Sequence, residues 1–496
     1  MARVLGIDAG TTGVAALLVS EDGEVAGRGY REFPQSFPRP GWVEHDPDHW
    51  YEALLAASSE ALEAAGAEAS SLAAMGIANQ RETTVLWDRA SLQPVHPAIV
   101  WQDRRTAERC AALREAGWEA HVRDRTGLVI DPYFSATKLE WLLSNVDGLR
   151  AEAATGRLAF GTVDAYALAV LTGGEVHATD RTNASRTMLF DIHALDWDGP
   201  LLDLLDVPPA ILPEVRPSVG RFGLTDPDRF LGARIPVSGV AGDQQAALFG
   251  QACFEPGAAK NTYGTGSFVL LNTGDRAAVS GAGLVTTLAA SGEGSIEYVL
   301  EGSIFVTGAA IQWLRDGLGV LSGSAEAGPL AASVPDTGDV YFVPALTGLG
   351  APHWDPYARG AIVGLTRGTT RAHLVRAAVE AMAYQTRDVV EAMGRDARVP
   401  ITELKADGGA SAMDALMQFQ ADVLGVPVRR ARTLETTALG AAYLAGLAEG
   451  VWGSRVEVAN RWHLDREFTP GDMAEADRRY GRWKLAVERA RRWAEP

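Results

Sequence analysis

The N-terminal stretch VLGIDAGTTGVAALLVS, residues 4–20, carries the strongest strand signal in the first half of the chain. A short apolar run ends at Asp8, a turn of glycines and threonines follows, and a second apolar run comes next. The pair Asp22-Gly23 is a hairpin signal, and it is followed by a third run over 25–33. Apolar runs of this length, joined by glycine-containing turns, predict three consecutive antiparallel strands.

A comparable pattern occurs in the second half, where AAKNTYGTGSFVLLN, residues 258–272, predicts a hairpin around Gly264-Thr265-Gly266. A Gly-Thr turn between two strands therefore occurs twice. This favours two similar α/β domains, whose two backbone-lined anion sites we expect to face each other across a cleft. Pro256 and Gly257 interrupt the pattern, so we predict domains over 1–250 and 251–496.

Composition excludes several classes of function. The 496 residues carry a formal net charge of −18, which argues against nucleic acid and anionic membrane surfaces as partners, although a local phosphate site is compatible with it. The two cysteines, Cys110 and Cys253, lie too far apart for a CxxC motif, which excludes a disulfide scaffold and a cysteine zinc site. No apolar run is long enough for a transmembrane helix, and Asp8 interrupts the first run, so we expect neither a signal peptide nor membrane insertion, and a cytoplasmic location.

The first Gly-Thr turn is a candidate phosphate site. Thr11 and Thr12 add hydroxyl donors to the backbone N–H groups of the turn, and Asp8 at the strand end can reach a hydrated Mg²⁺. No Gly-Lys-Ser/Thr follows, so the loop is not a P-loop. Each turn alone favours an ordinary hairpin, whereas the pair of turns, with Thr265 in the second, is as consistent with a nucleotide clamp as with two ordinary hairpins.

Two polar clusters follow predicted strands. Arg81 and Glu82 come after the strand over 72–78 and offer the donors and acceptors that a polyol requires, but without other context a surface salt bridge is the favoured explanation. Asp243 follows a glycine-rich strand end and is placed to take a hydroxyl proton during phosphoryl transfer. The same residue is a good N-cap for the helix that we predict after it, and the two interpretations are compatible.

Further nucleotide-side candidates lie in the second half. Gly408 and Gly409 form another strand-to-helix turn, on which a flat ring can lie, with a plain tight turn as the alternative. Gly308 and Gln312 are four residues apart and therefore share one face of a helix. The histidines are scattered and indicate neither a metal cluster nor a Ser-His-Asp arrangement.

Seven longer strings make the chain recognisable. They are PGWVEHDP (40–47), NQRETT (79–84), TGLVIDPYFS (126–135), TNASRTMLF (182–190), AGDQQAALFG (241–250), KNTYGTG (260–266) and WDPYARG (354–360). With these strings the chain resembles the glycerol kinase branch of the FGGY family of carbohydrate kinases over nearly its whole length.

The resemblance implies an α/β fold of two ribonuclease-H-like domains, as in actin and hexokinase, with a cleft between them. It implies transfer of the ATP γ-phosphate to a primary hydroxyl of glycerol, giving sn-glycerol 3-phosphate in glycerol catabolism, with ATP and Mg²⁺ required. It also implies a homo-oligomer, either a dimer or a tetramer. The segment Gly232-Ala233-Arg234 resembles part of the loop where some bacterial members bind fructose 1,6-bisphosphate.

The resemblance also assigns roles to residues. The catalytic base is Asp243, and the Mg²⁺ side of the site is formed by Asp8 and Asp243. The expected glycerol ligands and the apolar walls beside them are Arg81, Glu82, Trp101, Tyr133, Asp243, Gln244 and Phe268. The expected nucleotide contacts are Thr11, Thr12, Gly13, Thr265, Gly308, Gln312, Gly409 and Met413.

The chain departs from the family pattern on the nucleotide side. The first loop continues Gly13-Val14-Ala15 where the family has Ser-Ser-Arg, and Met413 stands where the family has an asparagine. We therefore expect weaker nucleotide binding and unchanged glycerol recognition. The alternatives are a kinase for another small polyol or a ketose, and a nucleotide-binding regulator with little turnover.

Overall fold

The structure, a computed structural model, describes residues 2–494 and divides into two compact units. The first unit contains the chain up to Ala252 together with Thr287–Tyr298 and Thr436–Trp462, and the second contains the remainder. Both units are therefore discontinuous, whereas the predicted domains are continuous segments on either side of residue 250. Within the described residues, no helix combines the length and the hydropathy of a membrane-spanning segment.

The strands are short, and many are paired into hairpins. In chain order they are β1 (Arg3–Ala9), β2 (Gly13–Ser20), β3 (Val25–Glu32), β4 (Glu44–His45), β5 (Ala74–Asn79), β6 (Val85–Asp88), β7 (Ala98–Ile99), β8 (Leu158–Gly161), β9 (Ala178–Asp180), β10 (Phe190–Asp191), β11 (Asp196–Trp197), β12 (Glu214–Arg216), β13 (Val219–Leu224), β14 (Pro236–Gly242), β15 (Ala259–Tyr263), β16 (Ser267–Gly274), β17 (Val285–Leu288), β18 (Tyr298–Ile304), β19 (Tyr341–Val343), β20 (Ala361–Val363), β21 (Leu404–Asp407), β22 (Val428–Ala431) and β23 (Leu464–Phe468).

The helices cover the sheets. In chain order they are α1 (Pro47–Ala64), α2 (Ala107–Glu115), α3 (Glu119–Thr126), α4 (Ala136–Asn145), α5 (Leu149–Ala154), α6 (Val163–Leu171), α7 (Arg181–Ala184), α8 (Gly199–Leu204), α9 (Asp243–Gly250), α10 (Gly308–Asp316), α11 (Ala327–Ala332), α12 (Arg371–Ala397), α13 (Asp414–Leu424), α14 (Thr436–Ala448), α15 (Arg455–Asn460) and α16 (Met473–Ala490). Four single turns of 3₁₀ helix lie at Ala69–Ser71, Pro209–Ile211, Ser324–Glu326 and Gly409–Ala412.

The first unit is built on a six-stranded sheet in the order β13-β14-β5-β1-β2-β3. The predicted three-strand meander is confirmed as β1, β2 and β3, and β1 also pairs in parallel with β5, which pairs in parallel with β14. The register sets Ala9 opposite Asn79 and Asn79 opposite Gly242. The carboxyl ends of three parallel strands therefore meet at one edge of this sheet, where ligands bind in open α/β sheets.

Helices pack on both faces of this sheet. Leu5 and Ile7 of β1 share a buried core with Trp50 and Leu54 of α1. Gly6 alternates with them and points to the other face, where a Cβ atom would lie 2.0 Å from the backbone oxygen of Ala438 in α14. Only glycine allows α14 to approach β1 this closely.

The second unit repeats this plan. Its seven-stranded sheet has the order β17-β18-β16-β15-β21-β22-β23, and the predicted hairpin is formed by β15 and β16. β15 pairs in parallel with β21, with Thr262 opposite Asp407, as β1 pairs with β5 in the first unit. The 27-residue α12 contributes much of the buried core. The predicted α/β fold of two similar halves is confirmed.

Some element boundaries differ from the predicted ones. The helix predicted to begin at Arg104 begins at Ala107, because Arg104 and Arg105 are held in a turn by ion pairs to Asp131 and Asp103. Asp243 is the first residue of α9, and Gly242 occupies the N-cap position. The predicted N-cap position of Asp243 is therefore wrong, because the helix begins one residue earlier than that role requires; the Asp243 side chain instead accepts the N–H of the next residue, Gln244, within the first turn.

Candidate functional site

The first group of predicted site residues lies at the shared strand edge of the first unit. Asp8 is the penultimate residue of β1, Arg81 follows β5 by two residues, and Asp243 directly follows β14. Because the ends of these strands are in register, residues that lie far apart in the sequence come together.

Arg81 and Asp243 form the centre of this group. Nε of Arg81 lies 3.0 Å from Oδ1 of Asp243, and its guanidinium also donates to Oε1 of Gln245 at 3.3 Å. The Arg81 side chain is buried, but that of Asp243 remains 26% exposed. The same Oδ1 accepts the backbone N–H of Gln244, the next predicted ligand, so among residues 2–494 the hydrogen bonds of the Asp243 carboxylate converge on one oxygen. Oδ2 is then the oxygen available to a ligand.

Glu82 is held by a residue that the sequence analysis did not single out. Nε of Arg186 donates to Oε1 of Glu82 at 2.5 Å, and both side chains are buried. The Arg186 guanidinium also lies 5.5 Å from the centre of the Tyr133 ring. Glu82 itself adopts a left-handed backbone conformation, with φ of 63°, and its carbonyl accepts the hydroxyl of Ser135 at 2.8 Å. Arg186 therefore orients two predicted glycerol ligands. Its only sequence signal is its place in the string over 182–190.

Tyr133 is further fixed by a buried lysine. Nζ of Lys138 donates to the backbone carbonyls of Pro132, Tyr133 and Phe134 at 2.5, 2.9 and 3.2 Å. Burial lowers the pKa of Lys138 to about 8. Three carbonyl acceptors for one ammonium group restrict the backbone around Tyr133 to a single arrangement.

Trp101 connects this group to the first Gly-Thr turn. Its ring meets that of Tyr133 edge-on at 5.5 Å, and its Nε1–H donates to Oγ1 of Thr11 at 2.9 Å. The turn is closed by a hydrogen bond from the Gly10 N–H to the Gly13 carbonyl at 3.0 Å. Thr12 is exposed, and Gly13 is buried. The predicted substrate wall and the predicted phosphate loop thus share a hydrogen bond.

Asp8 has the features of a cation ligand. The residue is half-buried, but its Oδ1 is inaccessible to solvent and has no hydrogen-bond partner among residues 2–494. Burial, assisted by the charge of Asp243, raises the pKa of Asp8 to about 7. A buried carboxylate oxygen without a partner next to a second carboxylate fits a divalent cation. Within the described residues no three His, Cys, Asp or Glu side chains form a metal cluster. Two carboxylates suit Mg²⁺, which keeps several waters and binds substrate phosphates.

A hydrogen-bond network behind the site holds the strand ends. Oγ1 of Thr182 accepts the Gly242 N–H at 2.8 Å and donates to Asp180 at 3.0 Å. The side-chain amides of Asn79 and Asn183 donate to each other, both at 3.0 Å. β5 and β14, which precede Arg81 and Asp243, are therefore tied to α7.

The second unit brings together most of the predicted nucleotide contacts. The Gly308 N–H donates to the Gly264 carbonyl at 3.1 Å, and the Ala309 N–H donates to the Thr265 carbonyl at 3.0 Å, so the second Gly-Thr turn is attached to the first turn of α10. Gln312 is exposed one turn further along α10.

The third glycine turn follows β21, the parallel neighbour of β15, so it leaves the sheet at the same edge as the Thr265 turn. Gly409 is exposed, and a Cβ atom there would meet nothing within 4 Å. Met413 packs against the core of the second unit. Phe268, predicted as an apolar wall for glycerol, lies on β16 of this unit, whereas the other predicted glycerol residues belong to the first.

Comparison with known proteins gives matches over nearly the whole chain. The model of the N-terminal domain of the FGGY family of carbohydrate kinases matches residues 3–250, and that of the C-terminal domain matches residues 259–449. The chain is 56% identical over 494 residues to glycerol kinase 2 of Thermotoga maritima and 58% identical over 492 residues to glycerol kinase of Symbiobacterium thermophilum, with 99% of each chain covered in both cases. A crystal structure of Plasmodium falciparum glycerol kinase with ADP superposes with a TM-score of 0.91 at 33% identity, covering 99% of this chain and 98% of that one.

Proposed function

The chain belongs to the FGGY family of carbohydrate kinases, and on this premise we propose that it phosphorylates glycerol with ATP, giving sn-glycerol 3-phosphate. The observation that carries the proposal is the buried Arg81 beside a partly exposed Asp243 at the edge where three parallel strands end. This arrangement offers a fixed cation and a solvent-accessible carboxylate to one small polar ligand.

The predicted glycerol residues of the first unit have different roles in binding glycerol. Arg81 donates and Glu82 accepts, and the Tyr133 hydroxyl does both, so each glycerol hydroxyl can find a partner of either kind. The Trp101 ring packs against the carbon atoms, and Phe268 is proposed for the same task. Arg186 and Lys138 keep Glu82 and Tyr133 in place before glycerol arrives, which lowers the entropic cost of binding.

Asp243 is proposed as the base. Its Oδ1 is occupied by Arg81 and Gln244, so Oδ2 accepts the proton of the primary hydroxyl as the oxygen of glycerol attacks the γ-phosphorus of ATP. The bond from that phosphorus to the β,γ-bridging oxygen breaks, and ADP leaves. Asp8 and Asp243 would hold Mg²⁺, which when bound neutralises charge on the phosphate oxygens. The turns at Thr11–Gly13 and Gly264–Gly266, together with Gly308, Gln312, Gly409 and Met413, are proposed to bind the nucleotide.

The test is an assay that couples ADP release to glycerol addition, run with Asp243→Asn. This variant keeps the shape of the side chain but cannot take the proton, so we expect turnover to fall about 10²–10⁴-fold with little change in melting temperature. Glu475→Gln is the matched control, because Glu475 is also a carboxylate in a first helical turn paired with an arginine.

Near-normal turnover of folded Asp243→Asn would contradict the assignment of the base. The same assay with propane-1,2-diol, xylitol and xylulose tests the substrate. If a longer polyol or a ketose were turned over faster than glycerol, that compound and not glycerol would be the substrate. ADP binding without turnover of any of them would indicate a regulator.

A further inference from the structure

Tyr30 lies beside the first Gly-Thr turn. In the hairpin of β2 and β3 it is the cross-strand partner of Ala15, so the two side chains project from the same face. A Cβ atom added to Gly13 would lie 2.7 Å from the Tyr30 hydroxyl oxygen and 2.8 Å from the ring carbon that carries it. The phenol therefore reaches across Ala15 to the last residue of the turn, and two small residues leave room for it.

The backbone of Tyr30 is fixed, but its hydroxyl has no hydrogen-bond partner in the described part of the chain. The Tyr30 N–H donates to Oε2 of Glu60 at 3.3 Å, and its carbonyl accepts a hydrogen bond from Arg31 at 2.9 Å. The hydroxyl makes no hydrogen bond to any residue in 2–494, and the residue is 47% exposed. Tyr30 thus presents a donor at a defined place without an internal acceptor.

The neighbouring donors in the turn are already partly engaged. The hydroxyl oxygen of Thr11 accepts from Trp101 at 2.9 Å, and the Gly10 N–H is used to close the turn. The side chain of Ala15 has no hydrogen-bond donor. An anion held at this turn would meet the Thr11 and Thr12 hydroxyls on one side and the Tyr30 hydroxyl on the other.

We propose that Tyr30 is a nucleotide-binding residue whose hydroxyl donates a hydrogen bond to a phosphate oxygen of ATP at the Thr11–Gly13 turn. The inference rests on the proposed kinase function. It adds Tyr30 as a phosphate-binding residue at a place where the side chain of Ala15 is too short to contact the phosphate. A neutral phenol supplies a directed hydrogen bond without adding a positive charge.

Tyr30→Phe removes the hydroxyl and keeps the ring that packs over Gly13 and Ala15. A hydrogen bond to a charged group corresponds to a factor of about 10 or more in affinity. We therefore expect the KM for ATP to rise about tenfold, with the KM for glycerol and the melting temperature unchanged. Tyr357→Phe is the control, because Tyr357 is exposed to a similar extent, 45%, and lies in the second unit.

An unchanged KM for ATP in Tyr30→Phe would overturn the inference, and so would a parallel rise in both KM values or a lower melting temperature, since these indicate a packing role. Titration calorimetry with the β,γ-methylene analogue of ATP and Mg²⁺ separates this result from a failure of the proposed function. If the wild-type chain released no ADP with glycerol, weaker analogue binding by Tyr30→Phe would still support the inference. Equal binding by both proteins, or no binding by either, would overturn it.

Discussion

At the scale of single residues, the site depends on buried charges whose partners are also buried. Arg186 is fully buried, pairs with Glu82 and lies against the Tyr133 ring. Replacing one member of such a pair costs far more than replacing a surface ion pair, because the other charge stays desolvated. The position of Glu82 should therefore depend on the geometry of the guanidinium.

We expect Arg186→Lys to raise the KM for glycerol about tenfold while leaving the KM for ATP close to normal. A lysine keeps the charge but cannot hold Glu82 through Nε and cover the Tyr133 ring at the same time. Arg105→Lys is the control, since Arg105 is equally buried and pairs with Glu44 and Asp103, outside the predicted site. If both variants change glycerol kinetics to the same extent, Arg186 has no specific positioning role.

Some of these residues could be predicted from the sequence and some could not. Asp8, Arg81 and Asp243 each follow or end an apolar run, and the carboxyl ends of parallel strands share an edge, so their proximity could be expected. Arg186 and Lys138 follow no strand end. Their partners lie 104 residues away in one case and are backbone carbonyls in the other, and neither relation leaves a local pattern.

At the scale of elements, hairpins and parallel strand pairs position the site, and close helix packing maintains them. The apolar and glycine signals identify β1, β2, β3, β15 and β16 because hairpin pairing is local. The run that forms α14 is apolar on all sides, which is typical of a buried helix, but nothing in its sequence indicates which sheet it covers. Its place on β1 and β5 depends on contacts more than 350 residues apart.

This packing gives a prediction about stability. Gly6→Ala would place its Cβ atom 2.0 Å from the Ala438 carbonyl oxygen, so α14 or β1 must move, and overpacking of this kind costs about 1–3 kcal/mol. We expect a lower unfolding temperature in calorimetry and, because β1 carries Asp8, reduced turnover. Gly220→Ala in β13 is the control, since a Cβ atom there meets nothing within 4 Å. Equal melting temperatures for the two variants would show that the α14 contact is not tight.

At the scale of the whole molecule, the chain leaves the first unit after Ala252 and returns to it twice. The family models match continuous segments, and the predicted boundary at residue 250 remains a prediction about domains. Turn-forming residues such as those near Pro256 can indicate where the chain leaves the first unit. They do not indicate where it returns, because residues 287–298 and 436–462 belong to the first unit through packing rather than through turns.

The buried carboxylates behind the site should make the stability of the whole protein depend on pH. Asp164 is fully buried and accepts hydrogen bonds from the hydroxyls of Thr162 and Thr179 at 2.5 and 2.6 Å. Burial, assisted by the charge of Asp180, raises the pKa of Asp164 from 3.8 to about 7, and burial also raises the pKa of Asp180. Asp180 binds Thr182, which holds Gly242 next to the proposed base.

The sign of the effect follows from the order of the two pKa values of Asp164. Below pH 4 the carboxyl is protonated in both the folded and the unfolded chain and contributes no difference. Between about pH 4 and 7 the unfolded chain loses the proton first, so the contribution of Asp164 to the free energy of unfolding falls as pH rises, and above pH 7 it stays constant.

Asp164→Asn cannot ionise. The difference between its melting temperature and that of the wild type should therefore rise across this window and remain higher at pH 8 than at pH 4. Asp88→Asn is the control, because hydrogen bonds lower the pKa of Asp88 from 3.8 to about 2, so the contribution of Asp88 to the free energy of unfolding rises mainly below pH 4 and stays nearly constant through the rest of the window. A difference between Asp164→Asn and wild type that does not change from pH 4 to 7 would mean that Asp164 is not protonated in the folded protein.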